Sequence, residues 1–294
     1  MPELPEVETM RMQLEKFLVG STISNVEMKS SFAMNEQASL IKTASYDLPV
    51  KELIGAKVTG VRRFAKVSSI DLSNGYSILT HVKLTGQFIY KGPKYKSTEP
   101  ISKKVVGGAP GPHTHVIFEF SDGGHLYYND IRKFGWIRVV KTSEVENEKF
   151  IKALGPEPLK DLTLEIFSRI ISSSRRNVKV LLMDQTKIGG VGNIYANDAL
   201  YLSKISPKRT ANTLSSDEQK ELYHAIETVL KAGLKYGGAS ELAFVTPDGK
   251  EGEYQNHTLV YGHQEEICKT CKTTKIEKFF LGGRGTYWCK TCQK

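Results

Sequence analysis

Cysteine is scarce in this chain and confined to one end. Only four of the 294 residues are cysteines, all between Cys268 and Cys292, so no disulfide can staple the fold as a whole. Long apolar runs are missing too, and none approaches the ~18 residues of a membrane span. The N-terminus lacks the basic segment followed by an apolar core that marks a secretory signal. No internal repeat is visible, which sets aside a repeat array. Acidic residues are outnumbered, 32 against 41 basic ones. Cytoplasmic residence is the default that these absences leave.

What is present is an ordinary soluble composition, 39% hydrophobic and 25% charged, with a formal net charge of +9. At about 150 residues per domain the length suits two domains, or two with a small appendage. The positive excess points to a polyanionic partner, although charge alone does not choose nucleic acid over a membrane surface.

The opening heptapeptide, Met1-Pro2-Glu3-Leu4-Pro5-Glu6-Val7, carries the most chemistry. Removal of Met1 leaves Pro2 with the chain's α-amine, and that amine is secondary. Attack on an aldehyde carbon then gives an iminium that cannot shed its charge by losing an N–H, an electron sink of the Schiff-base kind. An α-amine titrates near ~7.7–8.0, so much of it is unprotonated at neutral pH. Leu4, Val7, Met10, Leu14, Phe17 and Leu18 recur at helical spacing. The amine is therefore expected at a helix N-terminus, whose partial positive charge disfavours protonation. Glu3 and Glu6 share one face and are placed to hold or shuttle a proton beside Pro2. Pro and Glu in a first helical turn also satisfy plain capping chemistry, so both readings stand on these residues alone.

Residues 21–140 read mainly as strands, short and turn-bounded, at 58–63, 68–72, 78–90, 116–120, 125–128 and 137–140. Ser73-Asn74-Gly75 and Asp122-Gly123-Gly124 are hairpin signals, and the spacing predicts a β-sandwich. Residues 91–112 form a basic, Pro/Gly-rich insert read as a mobile loop. Leu154-Gly155-Pro156-Glu157-Pro158 breaks the chain, after which the period becomes helical. Leu162, Ile166, Phe167, Ile170 and Ile171 mark one helix. Leu222, Ile226, Val229 and Leu230 mark another, opened by a Ser215/Glu218 capping box. Between them Ile188-Gly189-Gly190-Val191-Gly192-Asn193 predicts a tight turn leading into a helix, a place where backbone can approach an anion.

Cys268, Cys271, Cys289 and Cys292 are spaced C-x2-C-x17-C-x2-C. Four thiolates so spaced close a tetrahedral zinc site with no open position, hence a structural one. Two reactive dithiols or a disulfide pair are the rival readings. Residues 279–288 between the pairs predict strand, turn and strand with Arg284 at the tip. From 261 to 294 there are seven basic residues against three acidic ones, which suits a nucleic-acid backbone.

Met1 to Thr9 resembles the opening of formamidopyrimidine-DNA glycosylases, whereas the sibling endonuclease VIII-like enzymes usually have Gly at the position of Leu4. The stretch 184–200 is similar to the family's helix–two-turn–helix, and the cysteine segment to its zinc finger. The resemblance implies that Pro2 attacks the sugar C1′ and that Glu3 is the acid/base. It assigns phosphate contacts to Lys66, in Arg63-Phe64-Ala65-Lys66, and to Asn193 and Arg284. His81-Val82-Lys83-Leu84-Thr85-Gly86 and Asp130-Ile131-Arg132-Lys133-Phe134-Gly135 match the loops that fill the space left by a flipped base. That match makes Leu84, Arg132 and Phe134 the intercalating set. Without it, Leu84 and Phe134 would read as core, His81 as a satisfied sheet histidine and Lys66 as a solvated lysine. Glu6 and Lys179 fall at supporting positions, and the plain reading of Lys179 is a solvated helix lysine. Residues 237–245 match the base-recognition loop in outline. Phe64 stands where Arg is usual, Leu84 where Met is commoner, and Asp198 where Glu is usual.

The resemblance thus implies an α+β multidomain fold. Its parts are a helix plus β-sandwich over 1–148, a helical helix–two-turn–helix domain over 149–250, and a zinc-finger β-hairpin over 251–294. It also implies a monomeric, cytoplasmic and nucleoid-associated enzyme with one structural Zn2+ and double-stranded damaged DNA as partner, with no membrane and no obligate protein partner. Such an enzyme would remove oxidised purines (8-oxoguanine, formamidopyrimidines) through a Pro2 Schiff base and then cleave the abasic strand by β/δ-elimination. The alternatives are an endonuclease VIII-like preference for oxidised pyrimidines, and a non-catalytic zinc-ribbon protein that binds damaged DNA.

Overall fold

The apolar spacing of the first eighteen residues closes into a helix, α1 (Leu4–Leu18). Pro5 sits in its first turn, where a missing N–H costs nothing. Glu3 and Glu6 form a reciprocal capping box that takes up backbone N–H groups left open at a helix start. Val7, Met10, Leu14, Phe17 and Leu18 are all buried. Each such side chain contributes about 1.5–3 kcal/mol by leaving water, so this face fixes the helix on its support.

That support is a β-sandwich. The computed structural model describes residues 1–28, 41–42, 48–95 and 99–294. The strand expectation at 29–40 and 43–47, and residues 96–98 of the insert, lie outside them. One sheet has four strands in the order β1 (Ile23–Met28), β7 (Thr114–Phe120), β8 (His125–Asp130), β6 (Gly86–Lys91). The other has five, in the order β2 (Ile41–Lys42), β9 (Trp136–Lys141), β5 (Tyr76–His81), β4 (Val67–Leu72), β3 (Val58–Phe64). All pairings are antiparallel except β2 with β9. Val58, Val61, Ile70 and Ile78 from one sheet share a core with Phe88, Val116, Phe118 and Tyr128 from the other, and the α1 face joins them.

Two expectations need correction. The run read as one strand over 78–90 is two strands, β5 and β6, which belong to different sheets. Residues 82–85 carry the chain from one layer to the other, which places Leu84 on an inter-sheet connection. The insert is not a free loop where it is described. Val105 and Ala109 are buried against Ile89, Ile117, Tyr127 and Val245.

The described chain divides into two compact units, Met1–Lys152 with Tyr236–Gln255, and Ala153–Lys235 with Asn256–Lys294. The second unit is helical. Residues Leu164–Ser172 form a helix capped by Thr163, whose hydroxyl accepts from the Ile166 N–H at 3.2 Å. Ser216–Lys235 is a second helix, and the Ser215/Glu218 box forms as expected, at 2.8 and 3.3 Å. Asn193–Leu202, a third, follows the glycine turn. Gln185 ties that turn, donating to the Met183 and Val191 carbonyls at 2.8 and 2.7 Å and accepting from the Gly190 N–H at 2.9 Å. The hairpin β10 (Glu277–Leu281) and β11 (Arg284–Trp288) turns on Gly282-Gly283, both at positive φ, as a two-residue hairpin turn demands.

Candidate active site and nucleic-acid contacts

Pro2 and Glu3 are buried at the start of α1, with Glu6 beneath them. Glu6 holds two backbones at once. One carboxylate oxygen accepts from the Glu3 N–H at 2.7 Å, and the other from the Ala239 N–H, also at 2.7 Å. The loop at 237–245 is thereby fastened to the helix start that bears Pro2. Gly238 permits this approach, because it sits at φ +85° and a Cβ there would fall 2.7 Å from the Glu6 Cγ. Further along, the Ser240 N–H donates to Gln255 at 2.8 Å.

Lys66 lies in the two-residue turn between β3 and β4, where Ala65 takes a positive φ of 49°. The lysine is buried, so the solvated reading fails. Arg63 braces this turn, donating to the Ala65 carbonyl at 2.9 Å and to Glu8 of α1 at 2.7 Å. Burial pushes the Glu8 carboxyl up, but hydrogen bonds and charge from Arg63 and Arg11 hold it below its ordinary value. Burial drives the His81 imidazole down to about 3, helped by the charges of Lys83 and Lys66. His81 is thus neutral at physiological pH and accepts the Lys83 N–H at 3.1 Å. It is the satisfied sheet histidine that its strand position suggested.

The two loops expected to fill a vacated base position are joined by Asp130. One of its oxygens accepts from the Thr85 hydroxyl and, at 3.2 Å, from the Arg132 N–H. The other takes the Gly135 N–H at 2.8 Å. Phe134 is 53% exposed, and the Arg132 guanidinium lies 4.6 Å over its ring. Leu84 is half-buried on the adjoining loop. Neither Leu84 nor Phe134 is a core residue. An exposed aromatic stacked under a cation at a loop tip suits insertion between bases.

In the second unit Lys179 is fully buried and donates from Nζ to the Thr286 hydroxyl at 2.7 Å and the Gly285 carbonyl at 2.9 Å. The solvated alternative is overturned here as well. Lys179 holds the hairpin, and Asn197 helps, accepting the Tyr287 N–H at 2.8 Å. Asn193 opens its helix after the glycine turn, and its carbonyl accepts from Asn197 at 2.6 Å. Asp198 clamps the next turn, accepting from the N–H groups of Leu259, Val260 and Tyr261 at 3.0–3.1 Å. Arg284 is exposed at the hairpin tip.

The sulfurs of Cys268, Cys271, Cys289 and Cys292 lie within 4.8 Å of one another. Cys268–Cys292 and Cys271–Cys289 are each separated by 3.7 Å, and none of the four is in a disulfide. Four sulfurs at ~2.3 Å from one ion form a tetrahedron with edges of roughly 3.8 Å, so the set fits a metal ion of zinc's size. The disulfide reading fails.

Asp130, Thr85, Asn197 and Gln255 hold these groups in place, yet their roles had no signal in sequence spacing. Each acts on a residue brought near only by the fold.

The first unit thus carries a capped helix start at Pro2-Glu3 and two loops tied by Asp130, and the second a basic four-cysteine hairpin. The model of the formamidopyrimidine-DNA glycosylase N-terminal domain matches residues 1–137, and that of the same family's H2TH domain matches 154–244. A formamidopyrimidine-DNA glycosylase of Rickettsia conorii is 38% identical over 294 residues, covering 100% of this chain and 99% of its own. One of Listeria monocytogenes is 37% identical, with full coverage of both chains. Among solved structures, the Lactococcus lactis Fpg bound to DNA with an abasic site aligns at TM-score 0.82, 31% identity and 99% coverage of each chain. MutM bound to DNA containing carbocyclic 8-oxo-G aligns at TM-score 0.83, 31% identity and full coverage. The chain belongs to the formamidopyrimidine-DNA glycosylase family, as its motifs suggested.

Proposed function

We propose that this protein is a bifunctional base-excision repair enzyme that removes oxidised purines from duplex DNA and then cleaves the abasic strand. The observation that carries this reading is the buried Pro2-Glu3 helix start, pinned by Glu6. With Met1 attached the proline nitrogen is an amide, so the reaction begins from the processed chain. The Pro2 nitrogen forms a bond to C1′ while the C1′–base bond breaks and its electron pair leaves with the base. Glu3 exchanges the protons, first assisting departure and opening of the sugar ring to the iminium. The iminium acidifies the C2′ hydrogen. Loss of that proton expels the 3′ phosphate by β-elimination, and a second elimination expels the 5′ phosphate. Neither strand break needs attack by water; water then hydrolyses the remaining iminium, breaking the Pro2–C1′ bond and freeing the amine.

Lys66 and Asn193 contact phosphates near the lesion, and Arg284 reaches them from the hairpin tip. Leu84, Arg132 and Phe134 occupy the space of the flipped nucleotide, with Arg132 serving the orphaned base. Glu6 supports the catalytic start and Lys179 the hairpin. The four cysteines hold one structural zinc, whose contribution is to the fold of the hairpin. Among the described residues no helix is long and apolar enough to cross a membrane. The enzyme acts as a cytoplasmic, nucleoid-associated monomer.

The direct test is a duplex bearing one 8-oxoguanine, scored for free base and for strand nicking. Both are expected from processed protein. Binding without either product would instead support the zinc-ribbon binder, and release only from oxidised-pyrimidine duplexes would support the endonuclease VIII-like preference.

A further inference from the structure

The part of the insert from 99 to 112 is laced to the loop at 239–245. Gln87, buried on β6, donates from Nε2 to the Lys104 carbonyl at 3.0 Å and also to the Ala243 carbonyl. Lys104 Nζ donates to the Ser240 carbonyl and to Glu251 at 2.6 Å. The other Glu251 oxygen accepts the Ser102 hydroxyl at 2.5 Å. The Ser102 N–H donates to the Gly249 carbonyl at 2.9 Å. Beneath these bonds Val105, Ala109 and Val245 share one apolar cluster. A surface pair, Lys250 with Glu99 at 2.6 Å, adds little by itself.

The position of this seam matters more than its size. Ala239 gives its N–H to Glu6, and the next residue gives its carbonyl to Lys104. One end of the loop is therefore fixed to the helix start that bears Pro2, and the adjoining peptide to the insert. Between the two carbonyls held by Lys104 and Gln87, Leu242 stands 62% exposed. The loop thus offers an exposed Leu242 on a fixed stem beside the reactive end. A fixed stem presents one arrangement of backbone groups to a base and avoids the ordering cost a loose loop would bear on binding.

We propose that Lys104 is a positioning residue for base selection: through Ser240 and Glu251 it lets the insert hold the 239–245 loop, which governs the base accepted and not the sugar chemistry. This rests on the glycosylase reading above. Its test uses two duplexes, one with 8-oxoguanine and one with a preformed abasic site, which needs the amine but no base recognition. Lys104→Met is expected to lower kcat/KM for 8-oxoguanine about tenfold, mainly through KM, because it removes the charge-assisted hydrogen bonds to both Ser240 and Glu251. Abasic-site nicking should stay within about twofold of wild type, and Lys104→Arg should restore most excision, because it keeps the charge and donors. Equal losses on both duplexes, or unchanged excision, would overturn the proposal while leaving the glycosylase reading intact. Wild-type protein inert on both would overturn that reading, and this one with it.

Discussion

Glu6 shows how much one side chain can organise. Both oxygens are occupied by backbone N–H donors, one on its own helix and one 233 residues away. Glu6→Gln keeps the shape but turns an amide NH2 toward an N–H. It should cost about 1–3 kcal/mol in urea unfolding and slow single-turnover excision about 10- to 100-fold. His81 carries a prediction of its own. Its folded value near 3 lies below the ordinary 6.5, so the unfolded chain binds the extra proton first. Stability should fall as pH drops from 6.5 toward 3, with a limiting slope on the order of 1.4 kcal/mol per pH unit. His81→Asn should flatten that part of a denaturation-versus-pH profile. The sequence made His81 readable because a lone histidine on a strand is usually satisfied. Lys66 and Lys179 were harder. Nothing in local spacing tells a buried lysine from a solvated one, since the groups that hold Lys179 lie more than a hundred residues away.

Among the elements, the hairpin is the clearest case of local legibility. Paired cysteines, a Gly-Gly turn and the flanking aromatic run dictate it without help from the rest of the chain. Its attachment was not legible, because Lys179 and Asn197 reach its backbone from helices of another region. Lys179→Met should leave the Gly285 carbonyl and Thr286 hydroxyl without this donor. Weaker binding to damaged duplex is expected, together with a lower melting point. Arg284→Ala should instead leave the fold intact and reduce the slope of log affinity against log salt by about one. Removing metal with a strong chelator, or Cys289→Ser, should unfold the hairpin, and one zinc per chain is expected by elemental analysis. Strands β3, β4, β7, β8 and β9 were legible one by one from β-branched and aromatic residues bounded by turn signals, whereas β1 and β2 fell only within the broad strand reading of 21–140. Over 78–90 the crossing between layers was hidden, because no Pro, Asn-Gly or Asp-Gly signal marks residues 82–85 and both flanking strands are buried.

For the molecule as a whole, the excess of basic residues named a polyanion, and the motifs in order named the family. Composition marked the break near 154–158, where the first unit gives way to the second. The return of Tyr236–Gln255 to the first unit carries no such mark, because its fasteners, Glu6, Gln87 and Lys104, come from three distant stretches. The proposed chemistry depends on a secondary amine at residue two reaching a deoxyribose carbon. Borohydride reduction during turnover of an 8-oxoguanine duplex, followed by peptide mass mapping, reads that bond directly. The DNA remnant should be found on Pro2 of chains that have lost Met1. A remnant on a lysine such as Lys66, or nicked DNA with no trapped protein, would contradict it.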